Sequence, residues 1–207
     1  MGLISNGTTL LDAGAIDSGV PTGAMTLIKT LTASSSGTLS FVDGAASVVL
    51  DGTYKEYIFK FYNMHPGTGA AKFRMIASAD TGSNYGVATT TTMFEAMQDE
   101  GGSNETVRYE DGDDAAQSTS AINISTGVGA DADECVSGDL HLFDPASTAF
   151  VKHFISTTQF VNNSGTPYCK VTRVGGYVNT TSAVDAIQFS FSSGNIDSGV
   201  IKMYGIK

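Results

Sequence analysis

The stretch from Tyr54 to Met64 has the clearest alternation of apolar and polar positions in the chain. Tyr57, Phe59 and Phe61 share one parity. The opposite parity carries Glu56, Ile58, Lys60 and Tyr62. Because successive side chains of a strand point to opposite faces, this pattern predicts a strand with one face on a core and the other largely polar.

Other short apolar runs follow along the chain, separated by glycine, asparagine, aspartate and proline. They predict strands at residues 24–31, 39–41, 72–78, 89–92, 121–125, 136–143, 150–156, 168–178, 186–192 and 200–206. Short strands at this spacing are typical of an all-β sandwich or barrel. Residues 93–97 fit either a short helix or more strand.

The inward parity of these strands predicts one shared core. Its expected members are Phe59, Phe61, Phe73, Met75, Leu140, Leu142, Phe189 and Phe191. Apolar residues also occur on the opposite parity, at Ile58 and Tyr62, and on both parities between Phe150 and Ile155. These side chains cannot all point into one core, so we expect some of them to form a contact between subunits.

Two regions lack the strand pattern. Residues 1–23 are small and polar with scattered leucine and isoleucine, and are too short to bury their own apolar groups, so we expect an extended docking arm. Residues 24–207 are then a single domain. Residues 98–120 are acidic and nearly without aliphatic side chains, which predicts a long exposed loop, with one short strand at 106–109.

Charge and composition exclude several classes of protein. The net charge is −10 and no basic patch is present, so nucleic acid is not an expected partner. No run of about 18 apolar residues is present, and we expect no membrane insertion. The first residues lack the basic and apolar regions of a secretory signal, so none is expected.

Catalytic patterns are missing from the sequence. His65, His141 and His153 have no metal-ligand spacing, and we interpret them as surface or structural residues. No nucleophile elbow, dinucleotide fingerprint or phosphate loop occurs. Cys135 and Cys169 do not make a disulfide framework, and we expect free thiols, although a bond between them stays open. We therefore expect neither an enzyme nor a cofactor.

Carboxylates are the remaining candidates for a site. Acidic loops can supply the oxygen ligands of calcium, but the spacing here does not fit an EF-hand. The calcium candidates are Asp111, Asp113, Asp131, Asp133 and Glu134. The simpler interpretation is a solvated acidic surface, so no metal site is predicted. Glycoside hydrolysis also uses paired carboxylates, but the chain has no tryptophan to stack on a sugar.

Four short motifs, in order, resemble a group of small virion proteins of marine tailed phages. They are the strand that starts at Tyr54, the turn Asp80 to Tyr85, the strand Gly138 to Pro145 and the closing strand Gly199 to Ile206. Here the closing motif has Val200 after its first glycine and Ile201 at the third position. The resemblance implies an antiparallel β-sandwich of jelly-roll type, a component of the particle and no catalysis.

The same resemblance implies a location on the virion surface, with assembly in the host cytoplasm. We expect a tail-fibre or receptor-binding type component, and the alternative is a capsid decoration (cement) protein. A carbohydrate-binding module is a further alternative from another class. Expected partners are other virion proteins, copies of the chain itself in a threefold ring, and a host receptor or glycan.

Overall fold

The structure is a computed structural model of the 207-residue chain. It describes residues 3–5, 8–12, 15–16, 25–164 and 166–207, with side chains from residue 25 onward apart from residues 163, 164 and 166. The described residues form strands, turns and irregular segments. None of them belongs to a helix that is long and apolar enough to cross a membrane.

One large antiparallel sheet dominates the described part of the chain. Its strands are β4 (Met25–Ser36), β6 (Glu56–Pro66), β8 (Thr89–Asp99), β9 (Glu105–Tyr109), β10 (Ala115–Ser118), β12 (Val136–Phe143), β13 (Lys152–Ser164), β14 (Thr166–Val178) and β16 (Ile196–Ile206). Their order across the sheet is β10-β8-β14-β13-β12-β6-β16-β4, and β9 also pairs with β8. Strands β4 and β9/β10 therefore form its two edges.

A smaller sheet of four strands packs against the large one. It consists of β5 (Leu39–Val42), β7 (Ala71–Ser78), β11 (Ile122–Val128) and β15 (Ala186–Phe191), in the order β11-β7-β15-β5. The chain passes repeatedly from one sheet to the other, for example from β5 to β6 and back to β7. The predicted all-β sandwich is confirmed, since two antiparallel sheets pack against each other.

The predicted arm, residues 1–23, lies partly outside the described residues. Within it, three short strands pair only with one another: β1 (Leu3–Ser5), β2 (Thr8–Asp12) and β3 (Ala15–Ile16). The sandwich begins with β4 at Met25, close to the predicted start of the domain at residue 24.

The core lies between the two sheets, and all eight residues predicted to share it are buried in one cluster. Phe189 is at its centre, with ring centroids 5.4 Å from Phe59 and 5.1 Å from Phe61. Phe73 stacks on the same ring at 5.9 Å, and Phe41 meets it edge-on at 6.3 Å. Aromatic pairs in these arrangements add stability beyond their buried area.

Strand β6 occupies the position that its sequence pattern predicts. Tyr57, Phe59 and Phe61 point into the core, and the strand lies between β12 and β16 in the large sheet. Ile58 points to the opposite face and does not belong to the core cluster, yet it is only 5% exposed. The outer face of the sheet therefore buries side chains of its own.

Gly205 in β16 makes room for the segment that precedes β6. A Cβ atom at Gly205 would lie 2.4 Å from the ring of Tyr54, so only glycine leaves room for that ring. Tyr54 also meets Tyr57 edge-on, with ring centroids 5.7 Å apart. The segment before β6 is thus packed onto the strand that ends the chain.

Two expectations about local structure need correction, and one open choice is decided. Residues 98–120 contain two short strands, β9 and β10, that pair with β8, so the region is not one long loop; the short strand expected at 106–109 is confirmed. The undecided residues 93–97 belong to β8. The strand expected to start at Phe150 starts at Lys152, and Phe150 is exposed in the preceding turn.

The strands within residues 98–120 have a physical explanation. A short edge strand can be held by hydrogen bonds to one neighbouring strand, so neither of its faces has to carry apolar residues. Strands β9 and β10 are short and polar, and their pairing with β8 cannot be read from hydrophobic periodicity. Lys152 opens β13 because its ammonium group donates to the carbonyls of Phe150 at 2.7 Å and Thr180 at 3.0 Å.

Candidate interaction surface

The outer face of the large sheet carries most of the exposed large apolar side chains. Alternation along each strand places one set of side chains in the core and the other set on this face. The exposed set consists of Met25, Leu27, Tyr62, Phe94, Val107, Tyr109, Phe143, Ile155 and Val171. This face spans the whole width of the sheet, so it is the broadest surface of the described sandwich.

An apolar ridge crosses the middle of the face at right angles to the strands. Tyr204 pairs with Leu27 on one side and with Ile58 on the other. Ile58 pairs in turn with His141, and His141 pairs with Ile155. Paired residues of neighbouring antiparallel strands lie side by side on the same face. The ridge therefore joins four apolar or aromatic side chains and one histidine, with Ile58 buried beneath its neighbours.

Charged side chains lie beside the ridge and pair with one another. The Lys60 ammonium group is 2.7 Å from a carboxylate oxygen of Asp139, and Lys202 lies over the ring of Tyr62 at 5.4 Å. His141 approaches the Glu56 carboxylate through Nδ1 at 2.5 Å. These groups are partly exposed, so they form a polar border around the apolar ridge.

At one end of the face lies a shallow groove of about 470 Å³. Strands β8, β9 and β14 form it, and its lining includes Ala96, Val107, Cys169 and Val171. Val107 is 73% exposed there. The groove is mainly apolar, and it lies on the outer face of the same sheet as the ridge.

The acidic calcium candidates fall in two separate segments. Asp113 is buried and holds the ammonium group of Lys72 and the side-chain amide of Asn123, which is 2.8 Å away. Asp111 is exposed in the same turn. The Asp113 carboxylate thus ties the turn before β10 to strands β7 and β11, which is a structural role.

The second acidic segment precedes β12. Glu134 is buried, and its carboxylate accepts the backbone N–H of Asp131 at 2.7 Å. Asp131 and Asp133 are exposed. Among the described residues no group of three or more His, Cys, Asp or Glu side chains could hold a metal ion.

The histidines and cysteines make local contacts. The His65 ring is 3.2 Å from the Asp131 carbonyl, and His153 packs against Tyr177 with ring centroids 6.3 Å apart. Cys135 and Cys169 are both free thiols. Burial raises the pKa of the Cys135 thiol, which disfavours the reactive thiolate.

The sequence analysis missed a buried polar cluster between the sheets. Glu95 is fully buried, and its carboxylate is held by Lys170 at 3.0 Å and Arg108 at 3.3 Å. The Thr126 hydroxyl donates to the same carboxylate from the opposite sheet. The only sequence signal is that Glu95 and Lys170 fall on the parity of buried residues in their strands. None of its buried side-chain N or O atoms lacks a hydrogen-bond partner, as expected of a structural cluster.

A scan against protein-family models, a search of curated proteins and a search of solved structures each returned no match. The geometry of the described residues is therefore the basis for assigning a function, together with the motif resemblance.

Proposed function

We propose that the chain is a non-enzymatic structural protein of a tailed-phage particle, displayed on the surface as a tail-fibre or receptor-binding type component. The observation that carries this proposal is the outer face of the large sheet, with its apolar ridge and bordering charges. Protein-binding surfaces commonly combine an apolar centre with a polar rim. The face is built on strands of a packed sheet, so it offers a partner a rigid surface.

The positions of the resembling motifs support the same proposal. Three of the four fall on β6, β12 and β16, which are neighbouring strands of the large sheet. The fourth forms the turn after β7, where the Asp80 carboxylate accepts the backbone N–H of Asn84 at 2.9 Å. Motifs that lie on scaffold strands and a turn suit a protein whose role is to present a surface.

The proposed partners are other virion proteins, copies of the chain itself and a host receptor or glycan. Tyr62 suits a glycan contact, because it is an aromatic residue that is 44% exposed on this face, with the Lys202 ammonium group over its ring. Capsid decoration is the second candidate. It is favoured by β1, β2 and β3, which precede the sandwich and pair with one another rather than with either large or small sheet.

Locating the protein in purified particles tests the proposal. We expect antibodies against the sandwich to label the tail, and a particle reconstruction to contain density for both sheets there. Labelling of the capsid lattice instead would replace the tail assignment with decoration. Absence of the chain from purified particles would overturn both assignments.

A deletion tests the role of the N-terminal arm. A tagged variant without residues 1–20 keeps every strand of the two packed sheets, so we expect it to fold. We also expect it to be lost from particles, because the arm supplies the docking contact. Tagged full-length chain is the control, and normal incorporation of the shortened chain contradicts the assigned role.

A further inference from the structure

We propose that β4 is a self-association strand, which pairs along its free edge with β4 of a second copy about a twofold axis. Strand β4 is an edge strand, since β16 is its one partner among the described strands. At about 3.3 Å per residue its 12 residues extend roughly 40 Å. Alternate backbone N–H and C=O groups along that length point away from β16 and need a partner.

The other sheet edges are protected in ways that β4 is not. At the opposite edge of the large sheet, β9 and β10 have five and four residues. Carboxylates border them, including Glu105, Glu110 and Asp114. Short edge strands and charged side chains both discourage pairing with another chain.

The small sheet protects its edges too. Strand β5 has only four residues. Strand β11 is irregular between Asn123 and Gly127. The Ile124 carbonyl on β11 already accepts hydrogen bonds from the hydroxyl groups of Thr158 at 2.7 Å and Thr172 at 3.0 Å.

Strand β4 has fewer of these features, although a register shift between Leu27 and Lys29 marks a bulge at Ile28. It contains no proline, and its single charged residue is Lys29. The Lys29 ammonium group donates to the Ala46 carbonyl at 2.8 Å, so this charge is tied to a loop of its own chain. Thr30 and Thr32 are exposed and uncharged on the outer face. The free edge is therefore almost neutral, and it is regular from Lys29 to Ser34.

Charge identifies a second copy as the occupant. The protein carries a net charge of −10, so two copies repel each other over most of their surfaces. The segment Met25–Ser36 has no carboxylate, and neither does β16 beyond Asp197, whereas Lys202 and Lys29 are positive. Two copies that meet at β4 thus bring together the least negative sheet edge that the structure describes.

Twofold symmetry follows from using the same strand on both sides. Identical strands related by a twofold axis in this way run antiparallel, which matches the strand pairing within the sheet, and the contact closes after two copies. The threefold ring expected from the sequence needs a different, heterologous contact. If such a ring also forms, β4 pairing joins two rings into an assembly of six.

Purified full-length protein tests the inference without any particle, so its outcome is separate from that of the proposed function. Light scattering should give the mass of two copies or of an even multiple. Hydrogen exchange should show amide protection within residues 25–36 that increases with protein concentration. A monomer or a trimer overturns the inference.

Charge variants on one face of the sheet provide the matched control. Thr30→Glu combined with Thr32→Glu adds two like charges to each edge, and Thr30 lies beside Lys202, which helps the fold tolerate the change. We expect the dissociation constant to rise at least tenfold, about 1.4 kcal/mol. Thr92→Glu combined with Gln159→Glu adds the same charge on central strands of the same face and should leave the mass unchanged.

Two further outcomes overturn the inference. One is a folded edge variant, by circular dichroism, that keeps the mass of two copies. The other is a full-length protein that is monomeric and becomes a dimer when residues 1–20 are removed. That result would mean that the N-terminal segment of the same chain occupies the β4 edge in the full-length protein. Equal loss of association in the central-strand control would attribute the effect to overall charge and would also overturn it.

Discussion

Lys170 Nζ lies 3.0 Å from Oε1 of Glu95, whose side chain is fully buried. The two residues lie on β14 and β8, which are neighbours in the large sheet. The Thr126 hydroxyl reaches the other carboxylate oxygen from β11 in the small sheet. Burying a charge costs free energy unless the charge is paired. Lys170 pairs with Glu95 within the large sheet and Thr126 reaches Glu95 from the small sheet, so these two contacts together fix how the sheets meet at this end of the sandwich.

Replacing Lys170 with methionine should lower the free energy of unfolding by about 3–5 kcal/mol, because it leaves the Glu95 carboxylate buried without its nearest charged partner. Arg108 remains at 3.3 Å, which places the expected loss toward the lower end of that range. Denaturant unfolding measures the change. Lys55→Met is the control: the Lys55–Asp144 pair is exposed, with side-chain exposures of 76% and 42%, and its loss should cost at most about 1 kcal/mol.

A double variant separates the charge effect from a packing effect. Glu95→Leu combined with Lys170→Met removes both charges, and we expect it to recover much of the stability lost in Lys170→Met, because apolar replacements can match a buried ion pair. A double variant that is even less stable than Lys170→Met would show that the hydrogen bonds to Thr126 and Arg108 dominate.

Replacing Phe59 with alanine should lower the free energy of unfolding by about 3–5 kcal/mol, since it removes a fully buried ring and leaves a cavity. Phe59 meets Phe41 at 5.2 Å and Phe189 at 5.4 Å between ring centroids, so both sheets lose contacts. Thermal or denaturant unfolding measures the loss. Phe150→Ala, at a 73% exposed position, should change stability by no more than about 0.5 kcal/mol. Equal effects of the two changes would contradict the assigned parity of β6.

Tyr57 makes stability depend on alkaline pH. Burial raises the pKa of its hydroxyl from 10.0 to about 12. The folded state therefore holds the proton more tightly than the unfolded chain, and this contribution is complete below pH 10 and lost as the pH rises towards 12. Between pH 10 and pH 12, the free energy of unfolding should fall more steeply with pH for the parent than for Tyr57→Phe, which has no ionisable group at this position.

The same variant has an expected cost at neutral pH. The Tyr57 hydroxyl donates to the Asp51 carbonyl at 2.9 Å and accepts the Asp51 N–H at 3.1 Å. Losing these contacts should cost about 0.5–1.5 kcal/mol for each hydrogen bond. A pH dependence that is identical in the parent and in Tyr57→Phe would contradict the raised pKa.

Hydrophobic periodicity was a sound guide wherever a strand has one face in the core. The parity of Phe59 and Phe61, and of their partners on β7, β12 and β15, identified the core correctly because burial selects apolar residues at every second position. Parity also placed Ile58 and Tyr62 on the face of β6 opposite to that core, and showed that the apolar residues from Phe150 to Ile155 could not all enter it. The structure places Tyr62 and Ile155 on the exposed outer face, where Ile58 is buried among their neighbours.

The sequence pattern did not predict which strands pair with one another. The ridge from Leu27 to Ile155 joins residues that are far apart in the chain, and only the order β4-β16-β6-β12-β13 makes them neighbours. The same holds for Glu95 and Lys170, which read as ordinary polar residues until β8 and β14 are placed side by side. Polar edge strands such as β10 carry no periodic signal, because one neighbouring strand is enough to define them.

The sequence pattern by itself determined an all-β sandwich or barrel and the residues of its core. These properties follow from local patterns, namely the period of two and the breaks at turn residues. The tertiary structure decided which strands are edges, which charges are buried and which side chains share the outer face. Those properties depend on hydrogen bonds and side-chain contacts between segments that are distant in the sequence. No single stretch of sequence determines these contacts, because each strand pair depends on both partners.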